Sequence, residues 1–273
     1  MEKRFIELVS KYNLESKYAD EAFYVEFFNI AKECLGLENY LSNLIFIKKE
    51  EFRDPKYKEY TSGLAGMFCQ AAYKKATGEF IVLDGNINYE NNMILRCMDL
   101  IESDKIAMYN LLVLHTLLHE IEHAKQEKMI KEGTDFESRL IALVNTDTRE
   151  SSFAYEYSLN ERLAEVRSYE QILDAYAELN LYEQRIYEYF LNEYRTSALS
   201  GYHFEDENGY LINSEEGIFM CPTFKYAILK NADIKEISEL CNSVTGDDRF
   251  VYGLPVEYEE YKKYKGVIKD HRI

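Results

Sequence analysis

The sequence predicts an α+β protein in which a small antiparallel sheet in the N-terminal third is followed by a helical bundle. Short β-rich runs lie in the first third, at 43–49 (NLIFIKK) and on both sides of KKATG at 74–78. From about residue 92 onward, apolar residues recur at the spacing of amphipathic helices. With 273 residues, 47% of them hydrophobic, the chain can bury a sizeable core.

Helix and sheet alternate over residues 1–100. Residues 18–35 carry apolar groups at helical spacing, and Gly36 is placed to end that helix. The strand at 43–49 comes next. KKATG then separates two further strand-like runs, and Asp84-Gly85 ends the second of them, so that we expect a hairpin here.

The middle of the chain is predicted to be helical. The predicted helices lie at about 105–131, 151–179 and 181–196, with a short one near 234–242 in a less regular tail. Gly133 is placed to end the first of them. We find no repeat, low-complexity tract or linker. The sequence therefore favours one domain over 1–273, with a helical core at 101–199 and a C-terminal elaboration at 200–273.

Charge limits the partners that we expect. Thirty-two Lys and Arg stand against 49 Asp and Glu, for a net charge of −17. Such a chain repels phosphate backbones and anionic membranes, so we expect no nucleic acid and no membrane partner. The N-terminal charges interrupt any signal-peptide core, and no run of about 18 apolar residues occurs. The sequence therefore favours a soluble, cytoplasmic protein. The oligomeric state stays open.

The cysteines do not form a recognisable framework. Five is an odd number, and no CxxC pair occurs, which argues against disulfides and against a cysteine zinc site. We expect buried, reduced thiols at Cys34, Cys69, Cys97, Cys221 and Cys241.

The segment HTLLHEIEH, at 115–123, carries the strongest chemical signal. Histidines four apart on a helix lie on one face and can bind one metal ion. Only the pair His119 and His123 has a glutamate, Glu120, directly after its first member, which completes the pattern HExxH. In this pattern the histidines bind zinc and the glutamate acts as a general base toward water.

His115 lies on the same face, one turn earlier. Three helical ligands at 115, 119 and 123 would span roughly 12 Å, too far for one tetrahedral ion. We expect His115 to be a core residue, or to contact a metal-binding residue without binding the metal itself. Glu122 is expected on the surface, in a solvated pair with a lysine such as Lys125.

A catalytic zinc usually has a third protein ligand. The metzincin extension HExxHxxGxxH fails here, because positions 126 and 129 are Gln and Met, and the inverted motif HxxEH is absent. The next strongly helical segment contains ERLAE, with Glu161 and Glu165 one turn apart on one face. Either glutamate is a candidate third ligand.

These two motifs together resemble the gluzincin metallopeptidases, in which a helical HExxH is completed by a glutamate from a following helix. The resemblance covers residues 105–170. It implies a zincin-like fold, with Glu161 as the third zinc ligand and Glu165 as a residue that orients a ligand histidine, in place of the commoner aspartate. Glu165 remains the alternative third ligand. It further implies that a peptide substrate lies along an edge strand, for which EFIVLDG at 79–85 is the candidate.

Peptide hydrolysis also needs a donor to the oxyanion. In gluzincins this is commonly a His or Tyr beyond the third ligand, which makes His203 the candidate, with Tyr155, Tyr157 and Tyr202 as alternatives. The sequence thus favours a soluble zinc metallopeptidase acting on peptides or proteins. Two other classes compete with it, a non-catalytic zincin-like protein that binds a metal or a partner, and a di-iron carboxylate helical protein. The di-iron design needs two ExxH motifs, and we find one.

Overall fold

A computed structural model describes most of the N-terminal two thirds of the chain. It covers residues 1–62, 69–133, 138, 159–179 and 183–194, together with four short strands further on. The helices are α1 Lys3–Lys11, α2 Glu21–Cys34, α3 Lys58–Thr61, α4 Asp84–Arg96, α5 Glu102–Glu132, α6 Leu159–Ala175 and α7 Gln184–Glu193. The strands are β1 Leu44–Ile47, β2 Ala71–Lys74, β3 Glu79–Leu83, β4 His203–Glu205, β5 Leu211–Asn213, β6 Phe250–Val251 and β7 Leu254–Pro255. The α+β class is confirmed.

The N-terminal sheet is mixed, and the prediction that it is wholly antiparallel is wrong. Its strand order is β1-β3-β2, with β2 antiparallel to β3 and β1 parallel to β3. The KKATG hairpin joins β2 to β3 as expected. Between β1 and β2, the described residues form short 3-10 turns and α3. A connection of this length allows β1 to run parallel to β3.

EFIVLDG does not form an edge strand. Its strand residues are β3, the central strand, and Phe80 to Leu83 are all buried. A strand with neighbours on both sides and both faces covered reads as a continuous apolar run, and FIVL fits that description. The edges of the sheet are therefore β1 and β2. Asp84, predicted to end the strand, begins α4.

Helix α5 is the longest described helix. It extends one turn further toward the N-terminus than predicted and ends directly before Gly133. Fifteen of its 31 residues are buried, including the run Ala107–Leu114, so this helix is packed nearly all round. The buried amide of Asn110 donates to the carbonyls of Leu14 and Lys17 and accepts from the N–H of Ala19, which joins α5 to the N-terminal segment.

Helices α6 and α7 follow the predicted order. Helix α6 lies inside the predicted range 151–179, of which residues 151–158 are outside the described residues. Helix α7 lies inside the predicted range 181–196. Tyr169 of α6 packs against Phe190 of α7 with ring centroids 5.1 Å apart. The helix expected near 234–242 also falls outside the described residues.

The chain divides into two compact units. One consists of Met1–Glu127 and Arg167–Asn192, and it contains the three-stranded sheet. The other consists of Lys128–Val166 and Glu193–Ile273, and its described strands form two antiparallel pairs, β4 with β5 and β6 with β7. Among the described residues, no helix is both long and apolar enough to cross a membrane.

The described cysteines differ in part from expectation. Cys34, Cys69 and Cys97 are not in disulfide bonds, as predicted. None of the three is buried, because Cys34 and Cys69 are partly exposed and Cys97 is exposed. Cys97 follows the last residue of α4, where the helix ends near the surface. Cys221 and Cys241 lie outside the described residues.

Candidate metal centre

The motif histidines lie close together on α5. The rings of His119 and His123 have centroids 4.8 Å apart, and their Nε2 atoms are 3.1 Å apart. Both residues are partly buried. Two imidazole nitrogens that bind one tetrahedral zinc ion at about 2.0–2.1 Å lie roughly 3.3 Å from each other. The pair therefore has the separation that a shared metal ion requires.

Gln126 orients His123. Its side-chain Oε1 lies 3.2 Å from Nδ1 of His123, and the glutamine is buried, with 4% of its surface exposed. When Nδ1 carries the ring proton and donates it to this oxygen, the lone pair of His123 is on Nε2, facing His119. A fixed tautomer of this kind is how metal-binding histidines are usually held.

Glutamates on α6 complete two candidate ligand groups. In the first, the ligand atoms of His119, His123 and Glu161 all lie within 4.8 Å of one another. In the second, the same limit is met by His115, His119 and Glu165. Every member is partly buried. The two glutamates suggested by ERLAE are thus divided between the groups, one turn apart along the helices.

Imidazole and carboxylate donors at such distances suit zinc and other divalent transition metals. Within the described part of the chain, a histidine and glutamate group therefore exists that could hold a metal ion. The donor set by itself is compatible with several divalent ions.

His115 packs against α6 as well as neighbouring His119. Its ring lies 3.8 Å from the ring of Tyr169, centroid to centroid, and 6.3 Å from the ring of His119. Tyr169 is buried, with 3% of its surface exposed. The expectation of a core or supporting role fits the ring contact with Tyr169. Membership in the second group makes His115 also a candidate ligand.

Glu120 contacts the sheet. Its Oε2 accepts a 2.7 Å hydrogen bond from the backbone N–H of Tyr73, in the edge strand β2. Directly before β2, the carbonyl of Gln70 accepts a hydrogen bond from the N–H of Leu83. With the β2–β3 register, the backbone groups of residues 70, 72 and 74 therefore face β3, and those of Tyr73 face away. The predicted general base therefore lies against the outer side of the edge strand. A carboxylate accepts up to about four hydrogen bonds, so this one leaves acceptor capacity.

Glu122 is buried, so its expected surface position is wrong. Only 3% of its surface is exposed. The expected pairing with Lys125 is present, at 2.5 Å, and Gln171 of α6 also donates to the carboxylate, at 2.9 Å. Arg167 lies 3.9 Å away. Helix α6 packs on α5 at Glu122 and buries it. The local sequence of α5 does not indicate this burial.

A second buried acid lies beside the edge strand. Glu127, with 4% of its surface exposed, pairs with Lys75 at 3.1 Å. Burial, reinforced by the negative charge of Glu127, raises the pKa of the Tyr73 hydroxyl to about 12. The Tyr73 hydroxyl donates to the carbonyl of Tyr40 at 3.2 Å, so its neutral form is the one held here.

The predicted oxyanion donors cannot be placed against this centre. His203 is the first residue of β4, where it pairs in register with Asn213, and its side chain is outside the described part of the structure. Tyr155, Tyr157 and Tyr202 also lie outside the described residues. Their proposed role stays a prediction.

Sequence reasoning missed three residues that support the centre: Gln126, Gln171 and Tyr73. Gln126 had a usable signal, because a residue three positions after a helical histidine lies on the same side of the helix. Gln171 and Tyr73 had none, since each contacts the motif helix from a distant part of the chain.

Comparison of the chain with protein-family models, curated proteins and solved structures returns no significant match. The site is therefore classified from its own residues alone. It is a helical histidine pair with an adjacent acid and with glutamates on a second helix.

Proposed function

We propose that the protein is a zinc-dependent metallopeptidase. The observation that carries the proposal is the 3.1 Å separation of the Nε2 atoms of His119 and His123, with a carboxylate of Glu161 in the same ligand group. Three ligands of this kind are the set that catalytic zinc sites use, leaving a fourth position for water or substrate.

Each residue of the motif has a role in this proposal. His119, His123 and Glu161 hold the ion, and Gln126 fixes the tautomer of His123. Glu165, with its ligand atom within 4.8 Å of that of His119, orients His119 or replaces Glu161 as third ligand. His203 remains the proposed oxyanion donor.

Zinc, when bound, supplies Lewis acidity that lowers the pKa of water to about 7 and polarises a carbonyl. Glu120 takes one proton from the attacking water as its oxygen bonds to the peptide carbon. The carboxyl group then gives that proton to the departing amine nitrogen as the C–N bond breaks. One water is consumed, and a carboxylic acid and an amine are formed.

The proposed peptide path follows β2 instead of β3. Strand β2 is the edge beside Glu120, and the N–H of Tyr73 points away from β3. A peptide that pairs with β2 would bring its carbonyl group near Glu120, and it would compete with the Glu120 carboxylate for the Tyr73 N–H. The negative charge of the chain favours neutral or basic peptides.

One observation favours a non-catalytic alternative. The Glu120–Tyr73 hydrogen bond joins α5 to the sheet. Glu120 therefore has a structural role that requires no catalysis. In that case the metal is structural, or the site binds a partner without turnover. The two functions differ in whether zinc-loaded protein hydrolyses peptides.

Metal content is the first test. We would purify the full chain and measure bound metals by inductively coupled plasma mass spectrometry, together with His119→Ala, Glu161→Ala and His271→Ala. His271 is a histidine outside the motif and serves as the matched control. About one zinc per chain is expected in the wild type and in His271→Ala, with loss in His119→Ala and weaker retention in Glu161→Ala.

Activity is tested on zinc-loaded protein with a proteome-derived peptide library analysed by mass spectrometry. New peptide termini that depend on Glu120 support the peptidase. Zinc without any cleavage supports the non-catalytic alternative. Absence of metal from the wild type would contradict the peptidase and the structural-metal alternative and leave only a partner-binding site. Equal zinc in Glu161→Ala would move the third ligand to Glu165.

A further inference from the structure

The edge strand β2 is contacted by side chains of the chain itself. Its outward backbone groups are the N–H and C=O of Ala71 and of Tyr73, because the alternate residues bond to β3. The Glu120 carboxylate accepts from the N–H of Tyr73 at 2.7 Å, and the thiol of Cys69 contacts the carbonyl of Ala71. Two of the four outward groups are therefore occupied.

Glu120 takes the position that a substrate carbonyl would need. When a strand adds to the outer side of β2, the N–H of Tyr73 donates to a carbonyl oxygen of that strand. The Oε2 atom of Glu120 occupies this donor at an ordinary hydrogen-bond distance. While the bond is present, main-chain pairing at Tyr73 is blocked, so the carboxylate and an added peptide exclude each other.

The contact can open by rotation of the Glu120 side chain alone. Helix α5 is joined to the β2 region at two further points, one on each side of Glu120 along the helix. Before it, the hydroxyl of Thr116 lies 3.0 Å from the side-chain oxygen of Gln70. After it, Glu127 pairs with Lys75 at 3.1 Å. These contacts hold the helix beside the strand when Glu120 turns away from Tyr73.

The exchange of acceptors favours extended peptides. An N–H bonded to a carboxylate makes a charge-assisted bond, which is stronger than a bond to a peptide carbonyl. A peptide that gained only the Tyr73 N–H would therefore be disfavoured. A longer peptide also gains the N–H of Ala71 and the C=O of Tyr73, which make no hydrogen bond within the described parts of the chain. Since Ala71 and Tyr73 are two residues apart, such a peptide pairs over at least about three residues.

We propose that the Glu120–Tyr73 hydrogen bond is an autoinhibitory contact that closes β2 to substrates. An extended segment of at least about three residues opens the contact by pairing with β2, and one of its carbonyl groups takes over the Tyr73 N–H. The carboxylate of Glu120 is then released to act on the bound peptide. Single amides and dipeptides lack the second pairing residue. This inference rests on the proposed peptidase function and its β2 path, but the test below reads binding and needs no turnover.

The test compares peptide binding by Glu120→Ala and Glu120→Gln in the full chain with zinc added. Neither variant can carry the proton, so neither consumes the peptide, and both lack the negative charge. Only the glutamine keeps an acceptor for the Tyr73 N–H. Random twelve-residue peptides displayed on phage are selected on immobilised Glu120→Ala, and fluorescence polarisation measures the dissociation constants of the selected peptides. Circular dichroism melting checks that both variants fold.

Selected peptides are expected to bind Glu120→Ala about ten-fold more tightly than Glu120→Gln, the equivalent of one hydrogen bond. Hydrogen exchange read by NMR adds a local measurement at the Tyr73 amide. This amide should exchange faster in Glu120→Ala than in Glu120→Gln, and it should become protected again in Glu120→Ala when the peptide binds.

A second matched pair tests whether the peptide uses the Tyr73 N–H. Tyr73→Pro and Tyr73→Ala are each combined with Glu120→Ala. Both lose the tyrosine ring, whereas only proline removes the N–H, which faces away from β3 and makes no ladder bond. The peptides should bind the proline variant about ten-fold more weakly than the alanine variant.

The outcomes separate this inference from the peptidase itself. Equal affinity for Glu120→Ala and Glu120→Gln would overturn the inference even if the wild type hydrolyses peptides. Equal affinity for the two Tyr73 variants would also overturn it, and so would the absence of any enriched peptide on Glu120→Ala. The expected differences in a protein whose wild type cleaves no peptide would support the closed edge and contradict only the peptidase.

Discussion

The carboxylate of Glu120 and the backbone N–H of Tyr73 are joined by a 2.7 Å hydrogen bond. This bond connects the helix of the histidine motif to the edge strand of the N-terminal sheet. The residue proposed as general base is thereby held at the outer side of β2, where an extended peptide would lie. One side chain thus has both a structural contact and a proposed chemical role, and substitutions can separate them.

Glu120→Gln and Glu120→Ala should differ in stability, and both should lose peptide hydrolysis. A glutamine retains an oxygen that can accept from Tyr73 N–H, so its free energy of unfolding should stay within about 1 kcal/mol of the wild type. Alanine leaves a partly buried N–H without that acceptor, at a cost of roughly 1–3 kcal/mol. Both variants should keep zinc and lose peptide hydrolysis, since neither can carry the proton.

Urea unfolding gives the stabilities, and mass spectrometry gives the metal content. Hydrolysis by Glu120→Gln at the wild-type rate would remove Glu120 from the proposed chemistry. Equal stability of the two variants would remove the structural role.

Gln126→Leu should weaken zinc binding by about 10- to 100-fold. The leucine takes away the oxygen that lies 3.2 Å from Nδ1 of His123, so the ring loses the contact that fixes its tautomer. Gln126→Glu keeps an acceptor at the same position and should retain zinc affinity. Competition with a chromophoric chelator measures both. Equal weakening in both variants would show that packing, and not the hydrogen bond, is what Gln126 contributes.

Gln171→Ala should lower the free energy of unfolding by roughly 1–2 kcal/mol, because Glu122 is buried and loses one donor. Lys125 continues to pair with the carboxylate, which limits the loss. Gln184→Ala is the matched control, since Gln184 is exposed and bonds only within α7, to Glu188. A Gln171→Ala variant as stable as Gln184→Ala would mean that the contact between α6 and Glu122 contributes nothing measurable.

Alkaline pH should destabilise the fold partly through Tyr73. Its pKa in the folded state is raised to about 12, by burial and by the charge of Glu127, whereas an unfolded tyrosine titrates near 10. The unfolded chain therefore loses its proton first. The contribution of Tyr73 to stability is fully present below about pH 10 and is lost as the pH rises toward 12.

Urea unfolding at several values between pH 9 and 11.5 should thus show a shallower decline for Tyr73→Phe than for the wild type. Tyr89→Phe is the control, at a tyrosine that is 64% exposed. Parallel declines in the wild type and Tyr73→Phe would contradict a raised pKa at this position.

Much of the secondary structure could be predicted from the sequence, because it depends on local periodicity. Apolar spacing, together with Gly and Asp residues at the ends of elements, predicts the ranges of α2, α5 and α7 and the β2–β3 hairpin. Strand direction and order could not be predicted in this way. The parallel pairing of β1 with β3, and the central place of β3, depend on a connection whose path no local pattern specifies.

The sequence by itself determined the spacing of the histidine motif and the presence of two acids one turn apart on a later helix, since helical geometry alone sets both. Only the tertiary structure decided which glutamate joins which histidines, that β2 is the strand beside Glu120, and that Glu122 is buried. The physical reason is the sequence separation of the residues that interact. A helix relates residues three and four apart, whereas burial and ligand grouping are set by side chains that arrive from other elements after the chain has packed.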